Sequence, residues 1–146
     1  RPKPEFGTIE IRVCDTPLTI ERAAALAIYA QALSRYLLVE RPVRPFEEMY
    51  QVYSYNRFQA CRFGLEGNFI DPADQSHRML REDVLATLSA LAPHAKELEA
   101  TEPLRALESV ARKDGNDGLW MRECYERGQS LQELMWQAGR RWSGMP

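Results

Sequence analysis

Two residues in the first dozen carry the clearest chemical signal of this chain, Glu10 and Arg12. Thr8 to Val13 alternates in the manner of a strand, with Ile9, Ile11 and Val13 on one face and Thr8, Glu10 and Arg12 on the other. Residues two apart on a strand emerge from the same face about 7 Å apart. A carboxylate at that spacing can hold a divalent cation while the guanidinium grips a phosphoryl group in transfer. The plainer alternative is a solvated surface pair on a half-exposed sheet, and the pattern alone leaves both open.

A second group is Asn56, Arg57 and Arg62, in the segment Tyr55-Asn-Arg-Phe-Gln-Ala-Cys-Arg-Phe-Gly64. Arg57 and Arg62 lie about 140° apart around a helix, so they share a face only if the helix bends or ends near Gly64. They would bind an anion there. Alternatively the helix, rich in Tyr50, Tyr53, Tyr55, Phe58 and Phe63, is core, with its arginines reaching out to water. Asp15 reads as a turn residue or a brace for an arginine, His77 as an exposed loop histidine, and Cys61 as a small buried hydrophobe without a base beside it. Arg140 and Arg141 read as a solvated helix terminus favoured by the helix dipole.

The elements that must position these residues follow from the pattern. Thr19 is expected to cap a helix from Ile20 to about Val39, whose uninterrupted Ala23 to Ala30 run requires cover on both flanks. Pro45 suits the first position of a second helix, Phe46 to about Phe63, closed by Gly64 and Gly67. A small hairpin is expected to join Phe69-Ile70 to Arg78-Met79. Arg81 to Leu91 forms a third helix on the stripe Val84, Leu85, Leu88 and Leu91, stopped by Pro93. Ala95 to Ala100 is expected as a short turn and Pro103 to Arg112 as a helix, followed by a polar loop, Lys113 to Gly118. Asp117 is expected to cap a helix from Leu119 to Arg127, and Ser130 with Glu133 to box the start of the last one, to about Arg140. The fold class is therefore α+β, one main β-strand followed by a mostly helical block. A single strand cannot satisfy its own backbone, so its sheet is expected upstream.

The chain has 146 residues, 45% apolar and 27% charged, the composition of one ordinary folded domain rather than a disordered or low-complexity chain. A formal net charge of -2 argues against a nucleic-acid binder that works by bulk electrostatics. Cys14, Cys61 and Cys124 are odd in number and widely separated, which fits free thiols in a reducing compartment, and only His77 and His94 are available as imidazole ligands for zinc. No apolar run approaches the roughly 20 residues that span a bilayer, and no signal peptide is read.

Phe6-Gly-Thr-Ile-Glu-Ile-Arg-Val-Cys-Asp-Thr-Pro-Leu-Thr19 and Tyr55-Asn-Arg-Phe-Gln-Ala-Cys-Arg-Phe-Gly-Leu-Glu-Gly67 resemble the C-terminal part of the YbdK-type carboxylate-amine ligases, the second glutamate-cysteine ligase family. The resemblance implies that residues 1–146 are the C-terminal fragment of a single catalytic domain with the glutamine synthetase-like fold, a curved antiparallel sheet with helices outside it. It implies an ATP-dependent ligase that passes through an acyl phosphate and joins a carboxylate such as glutamate to an amine such as cysteine. Carried over, Glu10 becomes a metal ligand for Mg2+, Arg12 the catalytic phosphoryl clamp and an ATP contact, and Asn56, Arg57 and Arg62 line the anionic end of the cofactor site. The implied partners are small-molecule carboxylate and amine substrates, the upstream half of the same protein and further copies of it in a homo-oligomer such as a dimer. No nucleic acid or membrane is implied, and the expected location is cytoplasmic. With one carboxylate against the about six oxygens that magnesium takes, the fragment alone is expected to be inactive. The rival expectation is a non-catalytic helical interaction or scaffold module.

Overall fold

The computed structural model describes residues 2–42, 49–113 and 116–144. Pro2–Lys3 (β1) runs antiparallel to Thr8–Ile9 (β2), with Pro2 opposite Ile9 and Lys3 opposite Thr8. A 3-10 turn over Pro4–Phe6 joins them and closes on Gly7 at a φ of 62°, a left-handed conformation suited to glycine. The strand expected to reach Val13 therefore stops at Ile9. Alternation of side chains specifies a face, whereas a strand also needs a ladder partner, and β1 offers only two residues. Ile9, Ile11 and Val13 are consequently exposed.

Ile20–Glu40 (α1) starts where Thr19 Oγ1 accepts the Arg22 N–H at 3.1 Å. It packs against Leu80–Glu97 (α3) and Thr101–Arg112 (α4), and these three helices enclose the core. Ala32, Leu88, Leu91, Ala95, Leu104 and Ala111 form its buried cluster. Ala25 and Ala32 are the buried residues of α1, and small side chains there let the backbones approach closely. Ile20, Leu37, Leu38 and Val39 lie exposed, so among the described residues α1 is covered along one flank rather than both.

The third helix does not stop at Pro93. It continues to Glu97 and takes in the first three residues of the separate turn expected over Ala95 to Ala100. Proline lacks the donor for the preceding turn and crowds it, but the buried set Leu91, His94 and Ala95 lies on both sides of Pro93 and holds the helix against its neighbours. Tertiary burial outweighs the local penalty.

Met49–Phe63 (α2) ends at Gly64, which adopts a φ of 60° and opens a 3-10 turn, Gly64–Glu66. The expected start at Phe46, with Pro45, falls outside the described residues. Among the described residues α2 buries none of its side chains, and Tyr50, Tyr53, Tyr55, Phe58 and Phe63 are exposed, so the core reading of its aromatics does not hold here. Asn68–Ile70 (β3) and His77–Met79 (β4) form the expected hairpin, with Phe69 opposite Arg78. His77 thus stands on a strand, not in a loop, and is exposed.

Asp117–Gly128 (α5) is capped by Asn116, whose side chain accepts the Leu119 N–H at 2.8 Å. Asp117, expected as the cap, is instead the first helical residue. Its carboxylate takes the Leu18 N–H at 3.0 Å and faces Arg22 at 3.9 Å, which joins the start of α5 to the start of α1. Leu131–Trp142 (α6) begins at Ser130 as expected and runs two residues past Arg140 to pack on α5. The Arg141 guanidinium lies 4.7 Å from the centre of the Trp120 ring and Arg140 4.6 Å from that of Trp136, so both arginines cover indole faces instead of standing alone in water. The thiols of Cys14, Cys61 and Cys124 are free, and Cys61 is exposed where a buried site was expected. Among the described residues no helix is long and apolar enough to cross a membrane.

Pro93 is itself exposed, so its replacement disturbs little packing. Pro93→Ala restores an amide donor to α3 and should stabilise the protein by about 1–3 kcal/mol, net of the freedom returned to the unfolded chain. Urea unfolding of both proteins measures this, and an unchanged or lower midpoint would mean that the proline is accommodated without cost.

Candidate functional site

Glu10 and Arg12 meet directly. The Arg12 Nη2 lies 2.7 Å from Glu10 Oε1, far closer than the separation of two neighbouring side chains on a flat strand, because residues 10–13 lack ladder pairing and the chain is free to bring the two heads together. Arg12 is two-thirds exposed and Glu10 about one-third, so the contact fixes orientation more than stability. Glu10 offers at most two oxygens to a cation, one already engaged by Arg12. Among the described residues no three His, Cys, Asp or Glu side chains converge. Against the about six oxygens and near-octahedral geometry that magnesium demands, this donor set does not compose a site by itself.

Asn56 is committed to the backbone. Its Nδ2 donates to the Ile70 carbonyl at 2.8 Å and its Oδ1 accepts the Ile70 N–H at 2.9 Å, so the amide pairs with β3 as a neighbouring strand would. One turn later Gln59 Oε1 accepts the Asn68 N–H at 3.1 Å. The backbone passes so close at Gly67 that a Cβ there would stand 2.8 Å from the Gln59 carbonyl oxygen. The face of α2 that carries Asn56 and Gln59 therefore positions the hairpin. Arg57 is exposed beside it, and Arg62 lies over the Phe63 ring, 5.9 Å from its centre, on the wall of a groove. The structure does not gather Asn56, Arg57 and Arg62 at one point.

The hairpin has an ionic centre. Arg78 donates to Asp71 at 2.8 Å and to Asp83 through Nε at 3.0 Å and Nη2 at 2.6 Å, while its guanidinium covers the Phe69 ring at 5.1 Å. Hydrogen bonds to Asp83 and then Asp71 raise the Arg78 pKa above its ordinary value. At the tip, hydrogen bonds from Ser76 hold the Asp74 carboxyl below the usual carboxylate range.

Two cavities adjoin the 14–17 segment. An open groove of about 990 Å³ is lined by Arg62, Arg81, Arg112 and Arg122 together with Asp15 and Glu66, and the exposed Cys61 sits on its wall. Arg81 is held by the Glu66 carboxylate and the Ala111 carbonyl, Arg112 by Glu108 at 2.7 Å, and Arg122 Nε by the Gly118 carbonyl at 3.4 Å. Sequence reasoning missed three of these arginines, since they come from separate helices and no local spacing links them. Beside the groove lies an apolar cleft of about 440 Å³ lined by Leu26, Tyr29, Val84, Leu107 and Val110. Asp15, Leu65 and Asn116 belong to both walls. Burial, then the charge of Asp83, pushes the Tyr29 hydroxyl above its ordinary value of 10.0.

Two variants probe these elements. Asn56→Ala strips both partners from Ile70 and should cost about 2 kcal/mol while speeding amide exchange at Ile70; exchange as slow as in the parent would show that the hairpin stands without α2. The folded state holds the Tyr29 proton more tightly than the unfolded chain does, so its stabilising share is complete below pH 10.0 and is lost as pH rises toward the folded value. Tyr29→Phe should therefore lose stability less steeply between about pH 9.5 and about pH 11, and parallel urea midpoints over that range would contradict this.

The sequence match is extensive. The model of glutamate-cysteine ligase family 2 matches residues 1–142. Proteins described as "Putative glutamate--cysteine ligase 2" are 49% identical over 144 residues in Nitrosospira multiformis, 52% over 145 in Verminephrobacter eiseniae and 50% over 144 in Leptothrix cholodnii. Each alignment covers 99% of this chain but only 38%, 39% and 38% of those relatives, so the chain spans about two-fifths of their length. A match over nearly the whole of this chain, which includes both the Glu10–Arg12 pair and the α2–hairpin unit, places the chain in the glutamate-cysteine ligase family 2.

Proposed function

We propose that this chain forms part of an ATP-dependent carboxylate-amine ligase, with glutamate and cysteine as the substrate pair. The observation that carries the reading is the family match across residues 1–142, within which Arg12 stands in contact with Glu10 at 2.7 Å. A substrate carboxylate oxygen attacks the γ-phosphorus of ATP, the bond to the β-phosphate oxygen breaks and ADP leaves. The amine nitrogen then attacks the acyl carbon, inorganic phosphate departs, and the nitrogen gives up a proton to leave a neutral amide.

Arg12 serves the first step. Its planar guanidinium offers parallel donors to oxygens whose charge grows during transfer, and Glu10 restricts its orientation so that less freedom is lost when the phosphoryl group arrives. Arg57 and Arg62 add positive charge along α2 for the anionic reactants, with Asn56 setting the hairpin beside them. Magnesium would shield the phosphates, with Glu10 as one ligand and its other oxygen donors coming from outside these residues. Family membership is also what supports cytoplasmic location and homo-oligomeric assembly.

The test is ligation by the full-length protein supplied with ATP, magnesium, glutamate and cysteine, followed by ADP release and by mass of the dipeptide. Arg12→Ala should lower kcat by about 10²–10³. Chelation of magnesium should abolish turnover, and the 146-residue chain alone should release no ADP. Dipeptide formation that Arg12→Ala leaves intact would remove Arg12 from the chemistry. No ADP release with any carboxylate and amine pair would favour a helical interaction module, a reading that draws on the exposed aromatic face of α2.

A further inference from the structure

The last helix carries an apolar stripe that its own chain leaves open. Leu131, Met135, Ala138 and Trp142 recur along α6 at intervals of four, three and four residues, the spacing of a coiled-coil seam. Leu134, the buried residue of α6, stands beside this stripe, three residues on from Leu131 and four before Ala138. With Met121 and Tyr125 of α5 it lines a bordering groove of about 330 Å³. Leu131, Met135 and Trp142 are 67%, 74% and 43% exposed, and Met121 and Tyr125 39% each. At on the order of 200 Å² for a fully exposed large side chain, they leave about 500 Å² of surface in water. A standard interface takes about 800 Å² from each partner, of which about 65% is apolar in homodimers, so the two areas match. Gly139 is an independent sign. It lies inside α6 one turn on from Met135, where glycine weakens a helix relative to alanine, and its φ is not positive. A Cβ there would meet no described atom within 4 Å, so no described contact of this chain calls for glycine, whereas a second helix passing close outside it would.

We propose that α6 is the contact surface for a second copy of this chain, the two helices lying antiparallel about a two-fold axis. An isologous contact requires a surface complementary to itself. The intervals four, three and four read the same in both directions, so an axis between Trp136 and Gln137 sets Met135 opposite Ala138 and Leu131 opposite Trp142, each twice. The long Met135 then lies over the small Ala138 near the axis, and Leu131 and Trp142 close the two ends. Residues nearest the axis meet their own copies, and Trp136 and Gln137 carry no charge, so like charges do not confront one another there. Arg141, next to Trp142, is drawn over the Trp120 ring of α5 at 4.7 Å from its centre. A copy of the same helix uses this palindromic spacing, which an unrelated segment has no need of. Neither α5 nor α6 carries Glu10 or Arg12, so the contact does not rest on the ligase reading.

The test is sedimentation velocity of the full-length protein over a concentration series from about 0.1 to about 100 µM, the range in which an interface of this size associates. A reversible dimer should form at low micromolar concentration or below. Met135→Glu places a carboxylate in the seam and should weaken association at least about a hundredfold. Gly139→Leu, opposed by no described atom of its own chain, should hold the helices apart and weaken association about tenfold or more. Ala138→Lys should behave like Met135→Glu. Mixing Met135→Glu copies with Ala138→Lys copies should restore the dimer, because the antiparallel register sets the new charges opposite each other once and leaves the other Met135–Ala138 contact as in the parent. Should Met135→Glu lose helix by circular dichroism, Leu131→Gln takes its place beside Gly139→Leu. Mass rather than turnover is the readout, so failure of the ligase reading leaves this test intact. A monomer at every concentration, a dimer that neither Met135→Glu nor Gly139→Leu weakens, or mixed copies that stay apart would each overturn the proposal; in the first case a segment of the same protein covers the stripe.

Discussion

Close approach of three helices around Leu91 is the constraint on which the remaining structure depends. Leu91 is fully buried, and the surfaces that enclose it include Ala32 of α1, Ala95 of α3 and Ala111 of α4, so the backbones lie near enough that a larger side chain at those positions would force them apart. Because burial continues on both sides of Pro93, α3 stays intact for its full length. The start of α3 is thereby fixed relative to α4, which is why Arg81 can reach the carbonyl of Ala111, 30 residues away.

The hairpin is positioned from two sides by polar contacts rather than by apolar burial. Asn56 and Gln59 receive β3 along the edge of α2, and Gly67 is required because the turn passes against the Gln59 carbonyl. Arg78 then binds the hairpin to α3 through Asp83. Fully paired networks of this kind specify geometry more than they add stability, since each charge must give up water before it gains a partner. The hairpin thereby ties α2 to α3 through Asn56, Gln59 and Arg78.

What the sequence made legible was what depends on neighbours along the chain. Thr19 and Ser130 accept the amides that their helices leave open, and the hairpin between Phe69-Ile70 and Arg78-Met79 followed from local pattern, though its register, Phe69 opposite Arg78, did not. Asn116 took the capping role from Asp117 because the Asp117 carboxylate is claimed by Leu18, 99 residues away, a contact no window reveals. The strand to Val13 failed for the same reason: alternation identifies faces, but pairing depends on a partner elsewhere. Asn56 was grouped with Arg57 and Arg62 by sequence, and its pairing with Ile70 is a long-range contact that the sequence did not reveal. The convergence of Arg62, Arg81, Arg112 and Arg122 was invisible because it exists only after four helices have packed.

The proposed chemistry and the exposed apolar side chains both lie on the N-terminal segment. Ile9, Ile11 and Val13 stand 70%, 52% and 76% exposed, while around Glu10 between them the described residues gather no group of three His, Cys, Asp or Glu side chains. The aromatic residues of α2 are exposed as well, and exposed apolar side chains grouped on one element mark places of association. A partner that paired with this segment as a strand would bury the isoleucines on one face and confront Glu10 and Arg12 on the other. The same event would satisfy the open backbone, remove the apolar side chains from water and bring further ligands to the pair, so that burial and catalysis would draw on one interface.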